Sequence, residues 1–208
     1  GEGISGIAPN CRIMPIRICN TDETGIAVDR VAAAINFARQ NGAHIISNSW
    51  GYGSTNQNFH PAIVEAIRTA TTTGRGGLGC LVVFAAGNNA RHTVGDTGFV
   101  QFPANVNIQG VLTVGASDRD DFQADYSPTS NLIDIVAPSH RAYPPDVYIR
   151  QGRTGGIAGE TFEVWTIDIP NNTGYNPYPN NPDWVHPPAA GEQLPAAGIN
   201  FLSYTSRM

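Results

Sequence analysis

The stretch Cys80-Leu-Val-Val-Phe-Ala-Ala-Gly-Asn-Asn-Ala90 constrains this chain more than any other. An unbroken apolar run, residues 80–86, stops abruptly at Gly87-Asn88-Asn89. A run of this length, rich in β-branched and aromatic residues, predicts a strand buried on both faces, as in a parallel sheet. Polar amides directly after such a strand stand at its carboxyl end, where open α/β sheets bind ligands. Ala85, Ala86 and Gly87 are small enough to let another backbone come close. The Asn88 amide then has two readings: it donates a hydrogen bond to a developing negative charge, or it closes a turn, as Asn and Gly commonly do.

At 208 residues the chain fits one domain with an insertion and can bury roughly 70 % of its surface. The net charge of −5 comes without a run of like charges, which argues against a nucleic-acid partner. No stretch approaches a membrane span or a basic amphipathic helix, and residues 1–9 lack the pattern of a signal peptide. The three cysteines are Cys11, Cys19 and Cys80. On one strand the first two would lie about 26 Å apart, too far to bridge each other. A bridge from either to Cys80 stays open beside the reading of all three as apolar fillers.

Taken in order, residues 11–18 read as a strand, with Pro15 placing it at an edge or bulge. Val28, Val31, Ala32, Ile35 and Ala38 recur at helical spacing, and Gly42 stands where a C-terminal glycine cap belongs. A short strand at residues 44–50, ending in a polar and aromatic group, follows, then a polar loop. A second helix opens at Pro61, runs through Ile63, Ala66, Ile67 and Ala70, and ends before Gly74. Residues 80–86, 110–116 and 132–138 supply further strands. Strands alternating with helices in this way predict an α/β fold with a doubly wound, mainly parallel sheet. Right-handed crossovers put the carboxyl ends of strands 43–49 and 80–86 on one edge, so Ser49-Trp50-Gly51 and Gly87-Asn88 face one cleft.

After Pro138 the composition shifts. Residues 141–198 are rich in Pro, Asn and Gly, with one strand candidate at 160–169, and read as an insertion within the domain formed by residues 1–140. Gly74-Arg-Gly-Gly-Leu-Gly79 fits G-x-G-x-x-G but follows a helix and precedes a strand, the reverse of a dinucleotide site. A nucleotide-binding domain is therefore disfavoured. The five histidines are scattered without metal or triad spacing, and no metal site is assigned. Asp168, Asn171, Asn172, Asn180, Asn181 and Asp183 offer oxygens suited to Ca²⁺ but lack the spacing of a calcium loop.

One family shows this whole series in this order: Gly6-Ile-Ala-Pro9, Ala43-His-Ile-Ile-Ser-Asn-Ser-Trp-Gly51, Val83-Phe-Ala-Ala-Gly-Asn88, Phe102-Pro-Ala104, Val114-Gly-Ala116, Tyr126-Ser127 and Ile133-Asp-Ile-Val-Ala-Pro138. Together they resemble the middle of a subtilisin-like serine protease, with Asn-Ser-Trp-Gly leaning toward the kexin-like branch and its bacterial relatives. The resemblance covers roughly residues 1–140. It implies that Asn88 is the side-chain donor of an oxyanion hole, that Ser49, Trp50 and Gly51 pair with an extended peptide substrate, and that Ala85, Ala86 and Gly87 form the opposite wall. For Trp50, core packing is an equally good role. The resemblance further implies a secreted or cell-surface location.

In that family the catalytic Asp and His precede the Ala-Pro motif, and the Ser lies in a Gly-Thr-Ser motif; none of the three motifs occurs here. Residues 199–208 resemble the approach to Gly-Thr-Ser. The expectation is thus an incomplete subtilisin-like sheet that holds substrate-binding and oxyanion parts and is inactive alone. Such a sheet should expose an apolar face, covered by a partner, by self-association or by further sequence of the same protein. Tyr52-Gly-Ser-Thr stands where kexin-like enzymes carry acidic residues, which removes the basis for dibasic preference. The alternative is a peptide-binding module without catalysis.

Overall fold

The computed structural model describes residues 7–19, 27–90, 97–117, 121, 123–124 and 126–139, together with a short strand pair at 166–167 and 204–205. Helix α1 (Val28–Gln40) and helix α2 (Pro61–Gly77) flank strand β1 (Ile45–Asn48) in sequence; β2 (Leu81–Ala85), β3 (Val111–Ser117) and β4 (Ile135–Pro138) follow. The four strands form one parallel sheet in the order β1-β2-β3-β4. The two-residue strands β5 (Thr166–Ile167) and β6 (Tyr204–Thr205) pair antiparallel elsewhere.

Both helices form where their apolar spacing predicts. Val31, Ile35 and Ala38 of α1 are buried, and Ile63, Ala66, Ile67 and Ala70 of α2 pack with them into one core with Val82 and Phe84. Helix α1 stops at Asn41, whose side-chain amide donates back to Phe37 O, and Gly42 follows at φ +78°. Pro61 stands at the start of α2. Regular helix ends before Gly74: Gly74, Arg75 and Gly76 leave helical geometry and turn the chain into β2. Gly79, at φ +77°, makes this turn possible, since a Cβ there would lie 2.0 Å from Thr71 O. The glycine-rich stretch is a helix-to-strand connection, as its order of elements requires.

Two expectations change. Residues 11–18 join no sheet; Pro15 offers no N–H, Ile13 is 87 % exposed, and only Ile18 of the stretch packs against the core. Strand β2 is buried on one face, not two. Val82 and Phe84 are 0 % exposed, whereas Leu81 is 40 % exposed. The register places Ile45, Leu81, Val114 and Ile135 on the same side of the sheet, away from the core. Ile45 and Ile135 are also exposed, so this apolar face lies open among the described residues. The three cysteines are free. Cys80 alone is a core filler; its thiol donates to Ala43 O, and burial raises its pKa against the lowering influence of Arg75 and Arg39.

Candidate functional site

Parallel pairing sets Asn48 beside Phe84, so β1 and β2 emerge from the sheet together. The residues just beyond them border a single cavity of about 390 Å³. Ser49, Trp50 and Gly51 line it from β1, and Ala85, Ala86, Gly87 and Asn88 line it from β2. All seven residues singled out in the sequence therefore meet at one place.

The end of β2 is tied to the segment that carries Gln101. Gln101 N donates to Ala86 O, and Gly87 takes φ +115°, a conformation that favours glycine. A Cβ on Gly87 would approach the Gln101 side chain to 2.8 Å, and one on Gly51 would come within 3.3 Å of Gln101 Oε1. Gln101 thus fills the space beside both glycines and itself lines the cavity. Nothing in the sequence marks this residue; it precedes Phe102-Pro-Ala104 and carries no motif of its own.

The two asparagines after Gly87 have different fates. Asn89 Nδ2 donates to Phe99 O and Asn89 Oδ1 accepts from Phe99 N, both at 2.7 Å, closing the loop that follows. Asn88 is exposed at the cavity rim, and its amide makes no hydrogen bond among the described residues. The turn-closing role belongs to Asn89, which leaves Asn88 free to donate outward.

Trp50 belongs both to the packing of the sheet and to the lining of the cavity. Its ring packs edge-on against Phe84, centroids 5.4 Å apart, and it also borders the cavity. Its Nε1 donates to Asn48 Oδ1 at 3.1 Å. Behind it lies an aromatic cluster of Tyr52, Phe59, His60 and Phe102, with Tyr52 tied to Phe102 O by its backbone N–H. Burial raises the Tyr52 phenol pKa above its ordinary value.

The far side comes from β3, β4 and the turn between them. Ala116 N donates to Ser127 Oγ, and the Tyr126 hydroxyl and Ser139 Oγ share a hydrogen bond. Among the described residues that line the cavity there is no Asp, Glu, Arg or His. Among the described residues no group of three or more His, Cys, Asp and Glu side chains is placed to hold a metal. The oxygens considered for Ca²⁺, from Asp168 to Asp183, lie outside the described residues, as does the insertion around them.

The sequence profile of the subtilase family matches residues 1–175. A calcium-dependent protease of Trichormus variabilis is 27 % identical over 186 residues, covering 84 % of this chain and 24 % of that protein. Subtilisin BL of Lederbergia lenta is 28 % identical over 149 residues, 70 % of this chain and 49 % of that protein. A thermophilic serine proteinase of Bacillus sp. strain AK1 is 33 % identical over 136 residues, 65 % of this chain and 29 % of that protein. The chain thus spans from about a quarter to about half the length of these relatives. Among solved structures, the prenylagaramide maturation protease PagA superposes with a TM-score of 0.52 at 22 % identity, over 72 % of this chain and 60 % of that one. MycP1 without its N-terminal propeptide gives 0.51 at 24 % identity, over 67 % and 48 %. At such identities these two bear on the fold alone.

Proposed function

Because the chain belongs to the subtilase family, we propose that it is the central portion of a subtilisin-like serine endopeptidase, supplying the substrate cleft and one oxyanion donor. The intact enzyme cleaves peptide bonds by acyl transfer from a Ser activated by His and Asp. None of those three motifs lies in these 208 residues, so the chain by itself does not cleave. The observation that carries the reading is the contrast between Asn89, committed to Phe99, and Asn88, uncommitted at the rim of a cavity.

An extended peptide enters between residues 49–51 and 85–87, its backbone pairing with the chain in the manner of an added strand. As the carbonyl under attack becomes tetrahedral, Asn88 Nδ2 donates to the negative oxygen. A donor placed where the negative charge develops bonds that oxygen more strongly than the ground-state carbonyl. The described part of the lining is uncharged, which suits neutral side chains and gives a basic one no counter-charge among the described residues. Among the described residues no helix is long and apolar enough to cross a membrane; secretion is proposed from the family. The open apolar face formed by Ile45, Leu81 and Ile135 is covered by a partner or a second copy.

A fluorophosphonate probe tests the central claim. The 208-residue chain should remain unlabelled, and stoichiometric labelling would show that a nucleophile is present after all. A second reading, a peptide-binding module without catalysis, has one observation in its favour: a cavity forms among described residues that hold no Gly-Thr-Ser motif. An Asp motif, a His-Gly-Thr and a Gly-Thr-Ser in the flanking sequence decide for the protease, and their substitution decides for the binder.

A further inference from the structure

Asn48 ends β1 and is only 7 % exposed. A buried amide is costly unless its donors and its acceptor are satisfied. Its Nδ2 donates to Ile46 O in its own strand and to Val83 O in β2, both at 3.0 Å. Two carbonyl oxygens can face only the NH₂ end of the amide, so the orientation of the side chain is settled. Its oxygen is thereby turned to Trp50, whose Nε1 donates to it at 3.1 Å. The indole is held at three points: this bond, the edge contact with Phe84 and a second edge contact with Tyr52, centroids 6.2 Å apart.

We propose that Asn48 is a positioning residue for the peptide cleft, coupling the β1–β2 pairing to the orientation of Trp50. The wall is then shaped before a peptide arrives, and the cost of ordering an aromatic side chain on binding is avoided. Strand pairing alone accounts for the two Nδ2 bonds; it does not account for the third, which leaves the sheet and reaches a cavity-lining ring. The proposal rests on reading the cavity as a peptide cleft. Asn48 touches no substrate in this scheme and acts only through Trp50.

The test uses the 208-residue chain and two substitutions. Asn48→Leu keeps the volume and removes all three bonds; Trp50→Phe keeps an aromatic ring and removes the indole donor. The readouts are hydrogen exchange of the Trp50 indole proton by NMR and affinity for an acetylated, amidated Ala-Ala-Phe-Ala peptide. Asn48→Leu should speed indole exchange at least ~10-fold and weaken the peptide about 3- to 10-fold, the range for one lost hydrogen bond. In the Trp50→Phe background the same change should alter affinity less than about twofold, since coupled residues are not additive. Unchanged indole exchange, or an equal loss of affinity in both backgrounds, overturns the proposal.

Should Asn48→Leu not fold, Asn48→Asp replaces it. That variant keeps an acceptor for the indole while setting a carboxylate against two carbonyls, so stability should fall with indole protection and affinity retained. Loss of indole protection and affinity at unchanged stability would overturn the proposal. If the wild-type chain binds no such peptide, the cleft reading fails and the proposal with it. A protected indole in that case separates this failure from failure of the Asn48–Trp50 link.

Discussion

Phe84 and Leu81 lie on the same strand and should respond very differently to truncation. Phe84 is 0 % exposed, packs among the core residues of both helices, and meets Trp50 edge-on at 5.4 Å. Replacing a buried Phe by Ala costs about 3–5 kcal/mol through lost transfer energy and the cavity left behind. Loss of the aromatic pair sets the expectation toward the upper end. Leu81 is 40 % exposed and faces the open side of the sheet, so Leu81→Ala forfeits little burial and should cost about 1 kcal/mol or less. Urea denaturation followed by far-UV circular dichroism measures both. With a slope near ~2 kcal/mol per M, Phe84→Ala should lower the midpoint by about 1.5–2.5 M and Leu81→Ala by under ~0.5 M, at unchanged slope. A domain of ordinary stability, about 5–15 kcal/mol, survives the larger change only if it starts above the low end. Comparable costs at the two positions, or the reverse order, would refute the reasoning. A slip of one residue exchanges the faces of a strand, so reversal means that the register of β2 is wrong.

The remaining predictions concern the site and its surroundings. Asn88→Ala should leave stability within ~0.5 kcal/mol, while in the intact protease it should lower kcat by about 10²–10³, a magnitude established on a subtilisin and carried over from that relative; unchanged turnover removes Asn88 from the mechanism. Asn89→Ala should instead destabilise by about 1–3 kcal/mol, because it strips both bonds from the Phe99 backbone; a silent Asn89→Ala in urea denaturation would contradict the loop-closing role. Gly87→Ala places a methyl 2.8 Å from the Gln101 side chain at φ +115°, and should weaken peptide binding in the wild type but less in a Gln101→Ala background; equal effects in both backgrounds would show that Gln101 is not the obstacle. Burial holds the Tyr52 phenol above its ordinary value, so the folded chain keeps a proton that the unfolded chain has begun to lose. That contribution is whole below about pH 10 and is lost as pH rises beyond it, and Tyr52→Phe should flatten the alkaline fall in urea midpoint relative to wild type.

Much of this protein is legible in its sequence. Periodicity located both helices and the faces they bury, because an amphipathic stripe such as Val31-Ile35-Ala38 has only one stable use. The apolar run ending at Gly87-Asn88 located the central strand and the edge at which a cavity forms, and the alternation of elements made the sheet parallel. These are local properties, written in a few consecutive residues. The sequence misled where a neighbour decides the outcome. Residues 11–18 have a strand's composition and no strand's partner, and β2 has an interior strand's composition with one face open. Composition records what a segment tolerates; pairing and burial depend on what lies beside it.

The opening question about Asn88 was of the second kind. Two adjacent asparagines are equivalent on the page, and only the return of the chain at Phe99 occupies one and leaves the other free. The same holds for Gln101, which carries no motif, and for Asn48, which stands in Asn-Ser-Trp-Gly but was given no part in the site. Gln101 fills the gap left by two glycines thirty-six residues apart, Gly51 and Gly87, and Asn48 bridges two strands to an indole. Sequence determined both helices and the strands that follow them, since hydrophobic spacing and turn chemistry act over single turns and pleats. Which amide is committed, which ring is held and which face stays open were decided by the tertiary structure, because each depends on contacts between residues the chain brings together only when it folds.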